Sequence, residues 1–178
     1  FEEIDAYENF QKEVFDDLLK DYSSVYYSKK AGGQGIALFY KKAIFELLHS
    51  YQVYFKSDTA EKTSNQFLSI NFLEEKQSGK VICVLITHLK AKKEFEEVRK
   101  TQIQHICEII NEDIEFLELK KKFNCESLVL CGDFNAEPDR ESLQYLQNFE
   151  FKENNFGKFT SAYNVFEKTK ADFLDCTT

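Results

Sequence analysis

The spacing of hydrophobic residues changes along the chain, and each spacing predicts a type of secondary structure. Apolar residues three and four positions apart predict an amphipathic helix over residues 7–22 and one long helix over residues 95–121. The apolar positions of the first helix are Tyr7, Phe10, Val14, Leu18 and Tyr22. Those of the second helix are Val98, Ile103, Ile106, Ile110, Ile114 and Leu117.

Shorter apolar runs predict β-strands. Turn-forming residues or the predicted helices separate these runs, which are residues 24–28, 36–40, 43–55, 67–75, 80–89 and 127–134. The third run is long enough for one strand or two. In the fourth, Leu68, Ile70 and Phe72 alternate with polar residues, as in a half-buried strand. The fifth run is apolar almost throughout, which is typical of a strand that is buried on both faces, and the sixth is also predicted to be a buried strand.

Strand, long helix and strand in succession indicate a layered α and β fold. A short helix should follow, with Asp139 as its N-cap. At 178 residues the chain fits one domain, and its 43% hydrophobic content, with 18 Phe and 9 Tyr, can fill a core. The sequence contains no Met and opens on Phe1, so we expect it to be a piece of a longer chain.

Charge and cysteine content argue against a general nucleic-acid-binding protein and for a protein of a reducing compartment. The formal net charge is -8, whereas a general nucleic-acid binder is usually basic, so any nucleic-acid role should be local. The cysteines show no C-x-x-C spacing, and we interpret them as reduced core thiols of a cytosolic or nuclear protein. They are Cys83, Cys107, Cys125, Cys131 and Cys176. The expected location is the cytoplasm, with a nuclear or mitochondrial address left open, and the absence of long apolar runs predicts no membrane span.

Polar side chains follow both strands that are predicted to be buried. His88, Lys90 and Lys92 lie at the end of the first, and Asp133 and Asn135 at the end of the second. Because ligands of α/β sheets tend to bind beyond the strand ends, we expect these side chains to converge. Taken alone, the second segment fits an ordinary strand-to-turn transition equally well, since Gly, Asp and Asn are common in turns.

This set of side chains suits the hydrolysis of a phosphate ester. The reaction needs a group that orients water, donors for the phosphoryl oxygens, and a hard cation such as Mg²⁺. A second carboxylate is expected to hold the metal, and either Glu3 or Glu2 could supply it on chemistry alone.

Segments along nearly the whole chain resemble the endonuclease/exonuclease/phosphatase superfamily, the Mg²⁺-dependent phosphoesterases that include DNase I and the poly(A) deadenylases. In chain order they are FEEID (1–5), GQGIALFYK (33–41), THLKAKKEFEEVRKTQ (87–102), CGDFNAEP (131–138) and SAY (161–163). The third segment is similar to the nocturnin branch in particular. The resemblance implies a four-layer α/β sandwich of the DNase I-like type, incomplete at both ends, with residues 1–178 forming the central part of a single domain.

The resemblance also implies roles for individual residues. Glu3 matches the metal-binding glutamate of the family. Asp133 and Asn135 match the pair that orients water and contacts the phosphate. His88 matches the histidine that steadies the phosphoryl group or the leaving oxygen.

Lys90 matches a substrate-facing lysine, and Lys92 stands where the family often has arginine. Arg99 is expected to be structural and to pair with a nearby acid. The chain departs from the family pattern at Glu2, which replaces a glutamine, and at Gln34, which replaces an aspartate. The family's amino-terminal asparagine motif and closing serine-aspartate-histidine motif would lie outside the chain, so the chain alone is predicted to be inactive or nearly so.

The resemblance implies a phosphoester hydrolase that uses Mg²⁺ or Mn²⁺ and acts on adenylate-containing substrates. The substrate would be the 3′ end of poly(A) RNA or the 2′-phosphate of NADP(H). The acidic balance favours a short or small substrate, although an adaptor protein of RNA decay could deliver RNA. The alternative is a non-catalytic family member that serves as a binding or scaffold protein in RNA decay. A monomer is expected.

Overall fold

The computed structural model describes residues 1–5, 7, 12–29, 33–56, 65–151 and 156–162. Two β-sheets pack face to face, and helices cover their outer faces. The helices are α1 Lys12–Leu18, α2 Glu96–Glu112, α3 Ile114–Lys122 and α4 Glu141–Asn148. The strands are β1 Tyr22–Ser28, β2 Gly35–Lys41, β3 Phe45–Tyr54, β4 Phe67–Glu75, β5 Val81–His88 and β6 Ser127–Asp133. The predicted four-layer α/β arrangement is confirmed.

The smaller sheet pairs β1 with β2 in antiparallel register. The first residues of the chain run along β2, where the Ala37 N–H donates to the Phe1 carbonyl at 2.9 Å. The outer face of this sheet packs against Tyr7 and against Phe15 of α1. Its inner face carries Ile36, which packs against the larger sheet.

The first helix is shorter than predicted. α1 ends at Leu18, and Tyr22 begins β1 because it pairs with Lys41 of β2. Val14 and Leu18 are 46% and 72% exposed, so the predicted apolar stripe is wrong. Phe10, the remaining position of that stripe, lies outside the described residues.

The larger sheet has the order β3-β4-β5-β6. The first three strands are antiparallel, and β5 and β6 are parallel. Residues 43–55 supply one strand, β3, whose register shifts between Leu47 and His49. β5 is buried on nearly its whole length, as predicted.

The alternating pattern in β4 does not mark a solvent-facing side. Ser69 and Asn71 are 2% and 0% exposed, because the polar face of β4 lies between the two sheets. There the Ser50 hydroxyl donates to Asn71 Oδ1 at 2.9 Å, and Asn71 Nδ2 donates to Ser69 Oγ at 3.0 Å. Tyr27 of the smaller sheet joins this network through Ser50 at 2.7 Å. The prediction of a half-buried strand is wrong, because the polar side chains of β4 form hydrogen bonds with one another and with Ser50 and can therefore be buried.

The long helix predicted over residues 95–121 is two helices. The backbone of Asp113 is extended, and its side chain accepts a hydrogen bond from the Phe116 N–H at 2.9 Å. This N-cap ends α2 and begins α3. Ile114 is consequently 73% exposed, whereas Phe116 is fully buried.

β6 and α4 differ from expectation in detail. Among the described strands, β6 is the outermost of its sheet, and Val129 is 43% exposed, which corrects the prediction that this strand is buried. The N-cap of α4 is Arg140 rather than Asp139, and it makes no side-chain cap. The carboxylate of Glu96 accepts the hydrogen bond of the Ser142 N–H at 3.0 Å instead.

Cysteines 83, 107 and 125 are buried and free, as predicted. Cys131 is exposed on β6, which corrects its assignment to the core, and Cys176 lies outside the described residues. Burial raises the pKa of the Cys107 thiol to about 12, so this thiol is inert at neutral pH. No helix within the described ranges is long and apolar enough to cross a membrane.

Candidate functional site

The parallel pairing of β5 and β6 brings the two polar strand ends together. His88 and Asp133 are register partners, and His88 Nε2 lies 3.8 Å from Asp133 Oδ2. The His88 side chain is 7% exposed and that of Asp133 is 54% exposed. A nearly buried imidazole therefore stands behind a carboxylate that faces solvent.

Gly132 makes this close approach possible. Its φ is 135°, and a Cβ atom there would lie 1.9 Å from the Thr87 carbonyl oxygen of β5. No side chain fits at this distance, and few adopt this backbone conformation. Gly132 therefore lies within β6, inside the strand predicted over residues 127–134, at the point where β5 and β6 come closest.

Asn135 is held in the left-handed conformation, with φ of 51°. Its backbone N–H donates to Asp133 Oδ1 at 2.8 Å, and its Nδ2 donates to the Leu89 carbonyl at 3.1 Å. Asparagine tolerates this conformation better than most residues. The amide thus ties the segment after β6 to the segment after β5.

The segment after β5 carries the predicted substrate lysines. The Lys90 N–H donates to Gln102 Oε1 at 3.0 Å, and Lys90 Nζ lies 4.8 Å from the centre of the Phe95 ring. Lys92 is exposed and has φ 78° and ψ 142°, a conformation that residues other than glycine rarely adopt. Such strain persists only where surrounding contacts enforce it.

Arg99 enforces the conformation of this lysine segment. Its guanidinium is 3% exposed and donates to the carbonyls of Lys90 at 2.9 Å, Lys92 at 2.7 Å and Lys93 at 3.4 Å. Its remaining N–H groups donate to Glu96 Oε2 at 3.1 and 2.9 Å. All five donors are used, which confirms the prediction that Arg99 is structural and paired with an acid.

Glu96 extends the same network to α4, because its second oxygen accepts from the Ser142 N–H. Burial alone would raise the pKa of Glu96, but the hydrogen bonds from Ser142 and Arg99 outweigh it and lower that pKa below its ordinary value. Glu96 is therefore a carboxylate at neutral pH. One ion pair, in which Arg99 is buried and Glu96 is partly buried, thus joins the lysine segment to the helix that follows Asn135.

Glu3 is exposed and has φ of 59°. It precedes Ile4, which bridges to Gly35 of β2. Within the described part of the chain, no hydrogen bond or ion pair joins Glu3 to the His88 and Asp133 pair. The same residues contain no group of three or more His, Cys, Asp and Glu side chains placed to hold a metal.

Sequence reasoning missed two side chains of this region, Glu96 and Arg140, and assigned Lys93 to solvent. All three line a cavity of about 320 Å³ that Asn135 also lines. Glu96 stands three residues before Arg99 on α2, a spacing typical of helix ion pairs. Arg140 follows Asn135 by five residues and has no comparable signal, since only tertiary packing brings it near Lys93 and Glu96.

No protein-family model matches the chain. Human nocturnin is 31% identical over 131 residues, an alignment that covers 74% of this chain and 28% of nocturnin. The Candida albicans 3′-5′-exoribonuclease subunit Ccr4 of the CCR4-Not complex is 29% identical over 156 residues, covering 75% of this chain and 20% of Ccr4. The human nocturnin catalytic domain with bound sulfate superposes with a TM-score of 0.67 at 26% identity, over 83% of this chain and 54% of that domain.

The chain belongs to the endonuclease/exonuclease/phosphatase superfamily, in its nocturnin-like branch. Its sheets and helices are those of a DNase I-like domain of that superfamily. The chain spans about a quarter of the length of human nocturnin.

Proposed function

We propose that the protein is a metal-dependent phosphoester hydrolase acting on adenylate-containing substrates. The observation that carries the proposal is the convergence of His88, Asp133 and Asn135 at the ends of two parallel strands. The likeness to Ccr4, which is named a 3′-5′-exoribonuclease, supports the reaction class. The nocturnin catalytic domain with bound sulfate supports an oxyanion substrate, because sulfate has the shape and charge of a phosphate group.

Asp133 is suited to orient the attacking water. Its carboxylate is 54% exposed, and the Asn135 N–H holds Oδ1 in a fixed direction. The carboxylate can accept a hydrogen bond from water and take up its proton as the bond to phosphorus forms.

His88 and Asn135 are suited to stabilise the phosphoryl oxygens. Burial holds the His88 imidazole in place, so its ring N–H can donate to a phosphoryl oxygen without the side chain having to move. One amide hydrogen of Asn135 is used on the Leu89 carbonyl, which leaves the second hydrogen for an oxygen of the substrate.

Glu3 and Asp133 are the carboxylates that would hold Mg²⁺ or Mn²⁺. Mg²⁺ sites usually draw on one or two protein carboxylates, with waters and substrate phosphate completing the shell, so this donor set suits the ion. The ion would neutralise negative charge on the phosphoryl oxygens.

The substrate is either the 3′ end of poly(A) RNA or the 2′-phosphate of NADP(H). An assay of the protein that carries this chain at its natural length, on oligo(A) and on NADP(H), separates the two. Phosphate or nucleoside monophosphate release is measured with Mg²⁺, with EDTA, and after Mg²⁺ or Mn²⁺ is restored. EDTA should abolish turnover, and the metal should restore it.

Asp133→Ala should lower kcat about a hundredfold or more, because the group that orients water is lost. Lys121→Ala, which removes an exposed charge in the last turn of α3, is the matched control and should leave kcat unchanged. An Asp133→Ala protein with wild-type kcat would refute the mechanism. Nucleotide binding without turnover on any of these substrates would instead support the alternative of a non-catalytic binding protein in RNA decay.

A further inference from the structure

The cavity beside Asn135 lies between the segments that follow β5 and β6. It measures about 320 Å³, and its walls include Lys93, Asn135, Glu137 and Arg140. A cavity of this size falls in the range of small-ligand sites and has room for a phosphate group with its waters. Because Asn135 lines it, a ligand in this cavity would lie next to the proposed reaction centre.

The charged side chains that line the cavity, counted without the pair that neutralise each other, carry a net positive charge. Glu96 and Arg99 also line it, but they neutralise each other at 2.9 Å. Lys93 and Arg140 make no side-chain hydrogen bond or ion pair within the described ranges, and Glu137 is the one other charged residue in the lining. One net positive charge thus remains in a chain whose formal net charge is -8.

The two cations are held by a shared scaffold. The guanidinium of Arg99 fixes the Lys93 carbonyl on one side, and its partner Glu96 fixes the start of α4, next to Arg140, on the other. The backbone positions of both cations are therefore set before any ligand arrives. Such preorganisation reduces the entropy that ligand binding would otherwise cost.

We propose that this cavity is an anion subsite, in which Lys93 and Arg140 bind a second phosphate group of the substrate beside the one that is cleaved. Its role in the reaction rests on the proposed function, whereas its ability to bind phosphate does not. The second phosphate is the pyrophosphate of a dinucleotide or the next phosphodiester of an RNA chain. Both sources present the same tetrahedral anion to a lysine and an arginine.

Binding is tested by calorimetric titration of the chain with inorganic pyrophosphate in the presence of EDTA. Lys93→Ala and Arg140→Ala should each weaken binding about fivefold, as expected for a partly exposed charge pair. The double variant should weaken it further, and Arg140→Lys should retain most of the affinity because it keeps the charge. Glu137→Gln should tighten binding about threefold, since it removes the opposing charge.

Two controls separate this site from general charge effects and from the proposed catalysis. Lys121→Ala removes one exposed positive charge far along the chain on α3 and should leave the affinity unchanged. Asp133→Asn should abolish turnover and still bind pyrophosphate, so the failure of catalysis and the failure of the subsite are distinguishable. A double variant that binds pyrophosphate like the wild type, with an unchanged melting temperature, would overturn the proposal.

Substrate kinetics on the natural-length protein identify the source of the phosphate. If Lys93→Ala and Arg140→Ala raise KM for NADP(H) alone, the subsite binds pyrophosphate. If they raise KM for oligo(A) alone, it binds the next phosphodiester. An unchanged KM for both substrates would refute the assignment.

Discussion

Replacement of Arg99 by alanine should destabilise the protein by about 3 kcal/mol. Arg99 is 3% exposed and forms its ion pair with Glu96 at 2.9 Å. Removal of one partner from a buried ion pair typically costs about 3 to 5 kcal/mol, because the other charge stays buried. The Glu96 side chain is 23% exposed and keeps its hydrogen bond from Ser142, so the lower end of that range applies.

Two further variants calibrate this value. Arg99→Lys keeps the charge, but an ammonium group cannot reach both Glu96 and the carbonyls of the lysine segment, so we expect a loss of about 2 kcal/mol. Lys100→Ala removes the neighbouring cation, whose bond to Glu141 is largely exposed. That control should leave the urea midpoint close to the wild-type value, because exposed ion pairs contribute little to stability.

The assay is urea unfolding, in which the midpoint should fall while the slope with denaturant stays constant. Hydrogen exchange provides a local readout, since the Lys90 amide should lose protection in Arg99→Ala when the bond to Gln102 is no longer held in place. An Arg99→Ala protein with the same urea midpoint as the Lys100→Ala protein would refute the reasoning, because Arg99 would then contribute no more than an exposed pair.

The same ion pair predicts a dependence on pH. The pKa of Glu96 is lowered in the folded protein, so the unfolded chain binds more protons as the pH falls below the ordinary glutamate value of about 4.3. This contribution to stability is present above that pH and is lost as the folded pKa is approached. It should be smaller in Arg99→Ala, and an identical pH profile for both proteins would contradict the assignment.

The remaining predictions concern the core and the strand contact. Gly132→Ala should destabilise the protein by at least about 3 kcal/mol, because its Cβ would lie 1.9 Å from the Thr87 carbonyl oxygen, and a melting curve like that of the wild type would exclude this steric clash. Asn71→Leu should cost about 2 kcal/mol in urea unfolding, since it leaves the buried polar groups between the sheets without a partner. Burial lowers the pKa of His105, which accepts a hydrogen bond from the Lys56 N–H, so stability should fall as the pH drops through about 6.5, and His105→Gln should flatten that slope.

Local patterns were sufficient for the number and kind of most secondary-structure elements. The prediction for β5 is correct, because a strand that is covered on both faces is apolar along its whole length and is easily recognised as one continuous run. Where the structure differs, a local side-chain cap or a tertiary contact overrides the spacing of apolar residues. The Asp113 side chain caps α3 and divides the long helix, and pairing with Lys41 draws Tyr22 into β1.

The polar face of β4 shows why such patterns mislead. Ser69 and Asn71 read as solvent-facing positions, yet they are buried between the two sheets. Hydrophobicity along one strand cannot reveal that a second sheet will supply partners such as Ser50. The same is true at the start of α4, where Glu96, distant in sequence, replaces the cap that Asp139 was predicted to supply.

The sequence by itself determined the residue types of the site, the strand ends on which they lie and the superfamily to which they point. Only the tertiary structure decided that Gly132 lets His88 and Asp133 approach across parallel strands, and that Arg99 and Glu96 connect the two segments of the site. Residue type and spacing along a chain are local properties, whereas distances between strand ends depend on how sheets and helices pack.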